Sequence, residues 1–392
     1  MKTPRCGRLT LALLMLAVVL VTVPAHAQTH ESTDGGNSGL GDAFTSGPSF
    51  TSLHSFDGTD GSFPYSGLVQ ATDGDLYGTT YAGGANDVSC SVGFMSGCGT
   101  VFKITPSGTL TTLYSFCSQS GCTDGANPYA GLIQTHSGDL YGTTLSGVSN
   151  GVCAPSGCGT VFKITTSGAL TTLHTFCLQD DCFLDGALPY AGLVQATNGN
   201  LYGTTGFHTT VFVITPGGKE TGFASQGTST AGLVQAGRRL YGTEPGSGVD
   251  YGYGAVFKIT LDGRLTELHI FEGNDGALPY AGLAQDTNGN FYGTTQEGGA
   301  SDEGTVFRLS LGLGPFVETR PTSGKVGAVV EILGTNLTGA TSVSFNGTAA
   351  VFQVAASSEI TTAVPAGAKT GNVQVTTPRG TLTSNVQFHV TP

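Results

Sequence analysis

The sequence predicts an all-β chain: a five-bladed β-propeller followed by a small immunoglobulin-like β-sandwich. Three observations predict it. Glycine supplies 62 of the 392 residues and recurs with threonine throughout, so no long stretch keeps the 3.6-residue period of a helix. A strand-sized phrase returns five times up to about residue 310. Beyond it the repeat stops and short alternating strands continue.

The repeated phrase is Leu-Tyr-Gly-Thr-Thr or a close variant, with its tyrosine at Tyr77, Tyr141, Tyr202, Tyr241 and Tyr292. Before each stands Gly-Leu-Val-Gln or a relative, at 67–70, 131–134, 192–195, 232–235 and 282–285. After each comes Val-Phe-Lys-Ile-Thr or a variant, at 101–105, 161–165, 211–215, 256–260 and 306–310. A fourth phrase of the Leu-His-Ser-Phe type appears at 53–56, 113–116, 173–176 and 268–271. The phrases are short, rich in Val, Ile, Phe, Tyr and Thr, and bounded by Gly, Asn, Asp or Pro, as strands are. Turn dipeptides such as Asp73-Gly74, Asn198-Gly199, Ser107-Gly108 and Asp262-Gly263 join neighbours into antiparallel meanders. A repeated four-stranded meander is the unit of a β-propeller. In Val101-Phe102-Lys103-Ile104 apolar residues fall on both faces, as expected of a sheet packed between two others.

One fourth-phrase segment, Thr51–Phe56, precedes the first repeat, and the last repeat ends at Val306–Ser310 without one. The ring is therefore expected to close by Thr51–Phe56 pairing beside Val306–Ser310. The fourth repeat is expected to be a thinner blade: Val213 stands where others have Lys or Arg, Glu244 where others have Thr, and Lys219–Ala224 in place of the fourth phrase.

The first 27 residues read as a secretory signal. Lys2, Arg5 and Arg8 precede the apolar run Leu9–Val23, and Ala25-His26-Ala27 is a small-x-small cleavage site. The run is shorter than the roughly 20 residues of a membrane span, and no later segment reaches that length. Residues 28–49 read as a flexible linker, 50–311 as the propeller and 315–392 as the sandwich. Removing the three basic residues from 15 Lys+Arg leaves 12 against 27 Asp+Glu, a net charge of −15. Such acidity makes the chain a poor match for nucleic acid and for anionic membrane surfaces, and no nucleic-acid partner is expected. The chain is expected outside the cytoplasm, secreted or at the cell surface.

Export also bears on the cysteines. Eight remain after Cys6 is removed, in four local pairs: Cys90/Cys98, Cys117/Cys122, Cys153/Cys158 and Cys177/Cys182. Each pair sits within one loop, and an oxidising compartment makes disulfides the expected state. No spacing is Cys-x-x-Cys and no His recurs beside them, so a metal site is the weaker reading.

In such a meander, turns 1–2 and 3–4 lie at one end, and loops 2–3 and 4–1 at the other. The first set is uniformly tight. The second holds all eight cysteines, the length variation and a recurrent segment: Asp60-Gly-Ser-Phe-Pro-Tyr65, Asp124-Gly-Ala-Asn-Pro-Tyr129, Asp185-Gly-Ala-Leu-Pro-Tyr190 and Asp275-Gly-Ala-Leu-Pro-Tyr280. Functional loops on a rigid scaffold cluster in this way. Asp60, Asp124, Asp185 and Asp275 offer oxygens to a cation such as Ca2+ or to sugar hydroxyls, with Tyr65, Tyr129, Tyr190 and Tyr280 as stacking surfaces. The competing reading is structural: Asp-Gly makes the turn and Pro-Tyr packs the blade, and regular repetition favours it. Tyr77 and its equivalents are expected to pack between blades with a tethered hydroxyl. Lys103, Lys163, Lys258 and Arg308 are expected in ion pairs or at solvent-directed tips. His54, His174 and His269 recur, but Tyr114 replaces the histidine once, which argues for packing over metal ligation.

No Gly-x-Ser-x-Gly elbow, His-Glu-x-x-His or phosphate loop is present, and no Tyr/His cluster suited to copper stands out. No catalytic residue and no cofactor is assigned.

From Phe316 onward, Pro321-Thr-Ser-Gly324, Val330-Glu-Ile-Leu-Gly-Thr-Asn336, Val343-Ser-Phe-Asn-Gly347 and Val364-Pro-Ala-Gly-Ala368 resemble the IPT/TIG family along the whole module. That resemblance implies an Ig-like spacer or interaction domain. The Gly-Leu-Val-Gln, Leu-Tyr-Gly-Thr-Thr and Gly-Thr-Val-Phe-Lys-Ile-Thr phrases are similar to the GloVer tandem repeat of choice-of-anchor bacterial surface proteins. This implies an exported, surface-associated bacterial protein. The expected function is a non-catalytic binding or adhesion scaffold recognising glycan or protein on the long-loop face. The alternative is an extracellular carbohydrate-active hydrolase or lyase using paired carboxylates.

Overall fold

The computed structural model describes residues 51–86, 90, 96–135, 137–147, 157–177, 186–207, 211–219, 229–246 and 252–391. The leader and linker expected at 1–49 lie outside them. The sheets all belong to the unit Ser52–Pro392.

Five antiparallel sheets follow the repeated phrases. The first is a meander of β1 (Val69–Gln70), β2 (Leu76–Thr80), β3 (Thr100–Ile104) and β4 (Leu110–Ser115). The second is built alike from β5 (Ile133–Gln134), β6 (Leu140–Thr144), β7 (Thr160–Ile164) and β8 (Leu170–Thr175). The third comprises β9 (Val194–Gln195), β10 (Leu201–Thr204) and β11 (Val211–Ile214), with its fourth phrase falling largely on residues outside those described. The fourth has β12 (Val234–Ala236), β13 (Arg239–Glu244), β14 (Ala255–Thr260) and β15 (Leu265–Ile270). The fifth has β16 (Ala284–Gln285), β17 (Phe291–Thr295) and β18 (Thr305–Leu309). The thin fourth blade is corrected by this assignment: Val213 belongs to the third sheet, and the fourth has all four strands because Leu265–Ile270 completes it.

The sheets pack face to face as propeller blades do, and three kinds of contact recur along the repeats. The phenylalanine ending one fourth phrase stacks edge-on against the third-strand phenylalanine of the next sheet. The pairs are Phe116–Phe162 at 5.2 Å, Phe176–Phe212 at 5.1 Å and Phe271–Phe307 at 5.2 Å. Such pairs add about 0.5–1.5 kcal/mol to the burial of their rings. The first threonine of the Tyr-Gly-Thr-Thr phrase donates to a carbonyl of the next sheet. Thr79 reaches Ala130 at 3.1 Å, Thr143 Ala191 at 3.3 Å, Thr204 Ala231 at 2.8 Å and Thr243 Ala281 at 2.9 Å. Tyr77, Tyr141, Tyr202 and Tyr241 are buried, and the hydroxyls of Tyr77, Tyr141 and Tyr202 are tethered, as expected. Tyr77 donates to Asp73 Oδ2 at 2.6 Å and Tyr202 to Leu261 O, in the following sheet, at 3.0 Å. Lys103 and Lys163 pair with Asp75 at 3.0 Å and Asp139 at 3.4 Å, the structural role expected of them.

The expected ring closure is not what the structure shows. Residues 52–57 form no strand, and among the described residues β18 is the unpaired edge of a three-stranded sheet. The N–H groups of Phe116, Phe176 and Phe271 donate to the carbonyls of Gly99, Gly159 and Gly254; no such bond joins Phe56 to Gly304. Val306 is 81% exposed, whereas its equivalents Val101, Val161 and Val256 are fully buried. The fifth sheet differs at its first turn as well. In sheets one and three, Thr72 and Thr197 of the first turn bond Gln134 and Gln235 of the next sheet. The equivalent Thr287 instead bonds Thr335 Oγ1 at 2.8 Å and accepts the Phe316 N–H.

That module is a sandwich of β19 (Val317–Arg320), β20 (Ser323–Lys325), β21 (Val329–Gly334), β22 (Ser342–Phe345), β23 (Thr348–Ala350), β24 (Phe352–Ala356), β25 (Glu359–Ala363), β26 (Val373–Thr377), β27 (Gly380–Thr383) and β28 (His389–Thr391). One sheet runs β19-β21-β25-β24 and the other β23-β22-β26-β27, with β20 and β28 paired in parallel. Its core holds Val330, Ile332, Phe345, Ile360, Val375 and Phe388. The burial alternates along β21 and β26, the pattern of sheets with one covered face.

Candidate functional site

The recurrent Asp-Gly…Pro-Tyr segment enters the first, second, third and fifth sheets beside the loop between the second and third strands. Isolated bridges join the two: Ser62–Ala82, Ala126–Ser146, Ala187–Phe207 and Ala277–Glu297. The long loops thus gather at one end, as predicted. Two bridges reinforce it. Cys90–Cys98 and Cys117–Cys122 are disulfides, and their four sulfurs lie within 4.8 Å of one another. Cys158 and Cys177 are also disulfide-bonded; their expected partners Cys153 and Cys182 lie outside the described residues.

The aspartates close their own loops. Asp124 is fully buried; its Oδ2 accepts from the Tyr114 hydroxyl at 2.7 Å, the Ser118 N–H at 2.8 Å and the Ser118 hydroxyl at 3.0 Å. Asp60 Oδ2 meets His54 Nε2 at 2.6 Å while Oδ1 accepts the Asp57 N–H at 3.0 Å. Asp275 repeats this with His269 at 2.8 Å and the Glu272 N–H at 2.8 Å. Asp185 lies outside the described residues. This geometry explains the exchange of histidine for tyrosine at position 114: either side chain presents a donor to the same carboxylate.

Tyr114 carries a testable consequence. Burial pushes its hydroxyl up to about 12, Ser118 opposes this, and the Asp124 carboxylate adds to it. The folded state therefore holds this proton more tightly than the unfolded chain. The contribution is complete below the unfolded tyrosine value of about 10 and is lost as pH climbs from there towards the folded value. The thermal midpoint of Tyr114→Phe should fall less steeply above pH ~10 than that of the wild type. Parallel slopes would contradict this origin.

The tyrosines behave differently. The residue before each proline, Phe63, Asn127, Leu188 and Leu278, has φ between 55° and 57°. Left-handed backbone at non-glycine positions is strained and persists where surrounding bonds fix it. Here the N–H groups of Asn127, Leu188 and Leu278 donate to Cys98, Cys158 and Tyr253 carbonyls. The kink precedes Tyr65, 51% exposed, and Tyr129, 42% exposed. Tyr65 and Tyr129 have ring centroids 5.3 Å apart, and Tyr129 and Tyr190 5.9 Å. Three of the four predicted tyrosines therefore form one continuous row across three sheets. Tyr280 is exposed, and the fourth sheet carries Thr230 at the equivalent position, so the row is interrupted there.

Two further rings extend the row that the repeat pattern did not select. Tyr81 lies 5.6 Å from Tyr65 and 6.2 Å from Tyr129, and Phe63 lies 6.1 Å from Tyr65. The signal for Tyr81 was its departure from the repeat, since Leu145, Gly206, Pro245 and Gln296 follow the other phrases. Burial, then the neighbouring Tyr190, Tyr65 and Tyr129, raises the Tyr81 hydroxyl above the usual tyrosine range.

The Gloeobacter/Verrucomicrobia repeat family matches residues 32–225 and 208–329, and the IPT/TIG domain matches 317–390. Among curated proteins there is no significant match. A catalytically inactive virginiamycin B lyase from Staphylococcus aureus, solved with quinupristin, is similar at 14% identity. The match covers 84% of this chain and 96% of that one with a TM-score of 0.42. A streptogramin B lyase is similar at 15% identity, over 85% of each chain, with a TM-score of 0.41. A fungal alcohol oxidase in complex with copper is similar at 12% identity, over 83% of this chain and 75% of that one, with a TM-score of 0.39.

Proposed function

The chain belongs to the Gloeobacter/Verrucomicrobia repeat family and ends in an IPT/TIG domain, and from that premise we propose that it is a non-catalytic binding scaffold working outside the cytoplasm. Its ligand is an extracellular glycan, held on the long-loop end by the row Tyr65–Tyr129–Tyr190. The row is the observation that carries this reading. Tyrosine presents a flat apolar ring with a hydrogen-bonding tip and few rotatable bonds, so it offers contact area at low entropic cost. Stacked loops braced by disulfides keep the rings in place without a ligand, which favours binding over remodelling. The disulfides also fit an oxidising compartment.

Asp60, Asp124 and Asp275 take part by holding the loops from which the tyrosines project. Their carboxylates are engaged by donors of the same loop, which favours a positioning role over one in proton transfer.

The purified protein should be retained by at least one member of a polysaccharide panel in affinity electrophoresis, with no new reducing ends released. Tyr129→Ala, at the middle of the row, should weaken retention about tenfold or more, as loss of a central aromatic anchor does. Release of product that disappears on one Asp or Glu substitution would replace this reading with a hydrolase or lyase. Unchanged retention by Tyr129→Ala would remove the row from the site.

A further inference from the structure

The two ends of the stack are the two halves of one interface. Every internal step joins an outgoing face, carrying the donor threonine and the third-strand valine, to an incoming face, carrying the first-phrase leucine and an acceptor carbonyl. On the fifth sheet the outgoing face is uncovered. Thr294 is exposed, although Thr79, Thr143, Thr204 and Thr243 are all buried and bonded across a step. Val306 is exposed, and β18 presents an unpaired edge. On the first sheet the incoming face is open at its first strand. Leu68 is 52% exposed, while its equivalents Leu132, Leu193 and Leu283 are buried.

Residues 52–60 add a third element. Phe56 stacks on Phe102 at 5.2 Å, as Phe116 stacks on Phe162. His54 bonds Asp60 as His269 bonds Asp275. A Cβ placed on Gly108 would meet Leu53 O at 3.0 Å, as one on Gly168 would meet Leu113 O at 2.8 Å. The segment thus sits on the first sheet as a fourth phrase sits on the following sheet. It lacks only a third strand beside it, and β18 lacks only a fourth.

We propose that a second copy of this chain joins the two: residues 52–56 of one copy pair with the β18 edge of another, stacking its first sheet on the neighbour's fifth. Antiparallel register follows from the internal sheets, where Val101 faces Tyr114, Val161 faces His174 and Val256 faces His269. Val306 of one copy therefore faces His54 of the next, and Thr294 donates to the Ser66 carbonyl, the counterpart of Ala130. The contact is β-strand addition at an open edge. It is heterologous, head to tail, so it builds chains or larger rings and not a two-fold dimer. The IPT/TIG module holds the Thr287 turn of the fifth sheet and leaves Thr294, Val306 and the β18 edge free for this contact.

Sedimentation of the full chain should show mass rising with concentration. Val306→Lys, a change at an exposed position that places a charge on the edge, should weaken association at least tenfold and leave the thermal midpoint unchanged. Mixing Val306→Cys with His54→Cys under mild oxidation should give disulfide-linked pairs containing one of each. A protein that stays monomeric at every concentration and yields no mixed pair overturns the proposal. So does a single chain carrying both substitutions that links within itself and keeps monomer mass, because the edges would then meet in one copy.

Discussion

Replacing Gly159 by alanine is expected to destabilise the protein by about 2–5 kcal/mol. Gly159 has φ +95°, where an L-residue is strained by about 1–2 kcal/mol. A Cβ there would also meet the Thr144 carbonyl oxygen and lie 2.7 Å from Pro189 Cδ. Neither contact is the far end of a flexible chain, and overpacking of this kind costs roughly 1–3 kcal/mol more. The Gly159 carbonyl accepts the Phe176 N–H, so a shift to relieve the clash would disturb the fourth strand as well. Gly138 separates strain from clash. Its φ is +87°, and nothing lies within 4 Å of its Cβ position, so Gly138→Ala should lose only the strain. Equilibrium urea unfolding of the two variants, followed by tyrosine fluorescence, measures the difference. Equal losses would show that the close approach of Thr144 and Pro189 does not constrain position 159.

The same glycine shows why so much of the fold could be read from residues. Gly99, Gly159, Gly254 and Gly304 all carry φ between 90° and 98° just before a third strand, so one backbone requirement stamps one letter at four places. The tethered tyrosines, the Asp-held loops and the turn dipeptides are legible for the same reason: each is a local demand repeated along the chain. What was not legible depends on the sum of many steps. Whether Ser52–Phe56 reaches β18 depends on how all the intervening sheets pack, and that leaves no mark on either segment. Val213 and Glu244 break the wording and together suggest one thin repeat, although they sit in different sheets. The site divides likewise. Repetition marks Tyr65, Tyr129 and Tyr190, whereas Tyr81 occurs once and no repeat marks it, and departure from a repeat is where a stack of like sheets becomes specific.

Gly142 and Phe162 should show strong coupling in a double-mutant cycle, and this explains why glycine recurs in every Tyr-Gly-Thr-Thr phrase. A Cβ on Gly142 would meet Phe162 Cζ at 2.6 Å and Leu132 Cδ2 at 2.8 Å. The ring of Phe162 is fully buried, lying across the second strand of its own sheet while Phe116 of the preceding sheet stacks on it. Phe162→Ala should cost about 3–5 kcal/mol, because it leaves a cavity at an interface between sheets that cannot both close around it. Gly142→Ala should cost about 1–3 kcal/mol, because the methyl group forces the ring out of its slot. Together the two changes should cost less than their sum by about 1–2 kcal/mol, since the new methyl enters space the ring has left. Urea unfolding of the wild type and the three variants closes the cycle. Additive losses would mean that glycine is required at 142 by the backbone and not by the ring. Coupling would mean that the phrase of one strand and the phenylalanine of the next are a single packing unit, written in two places and copied five times.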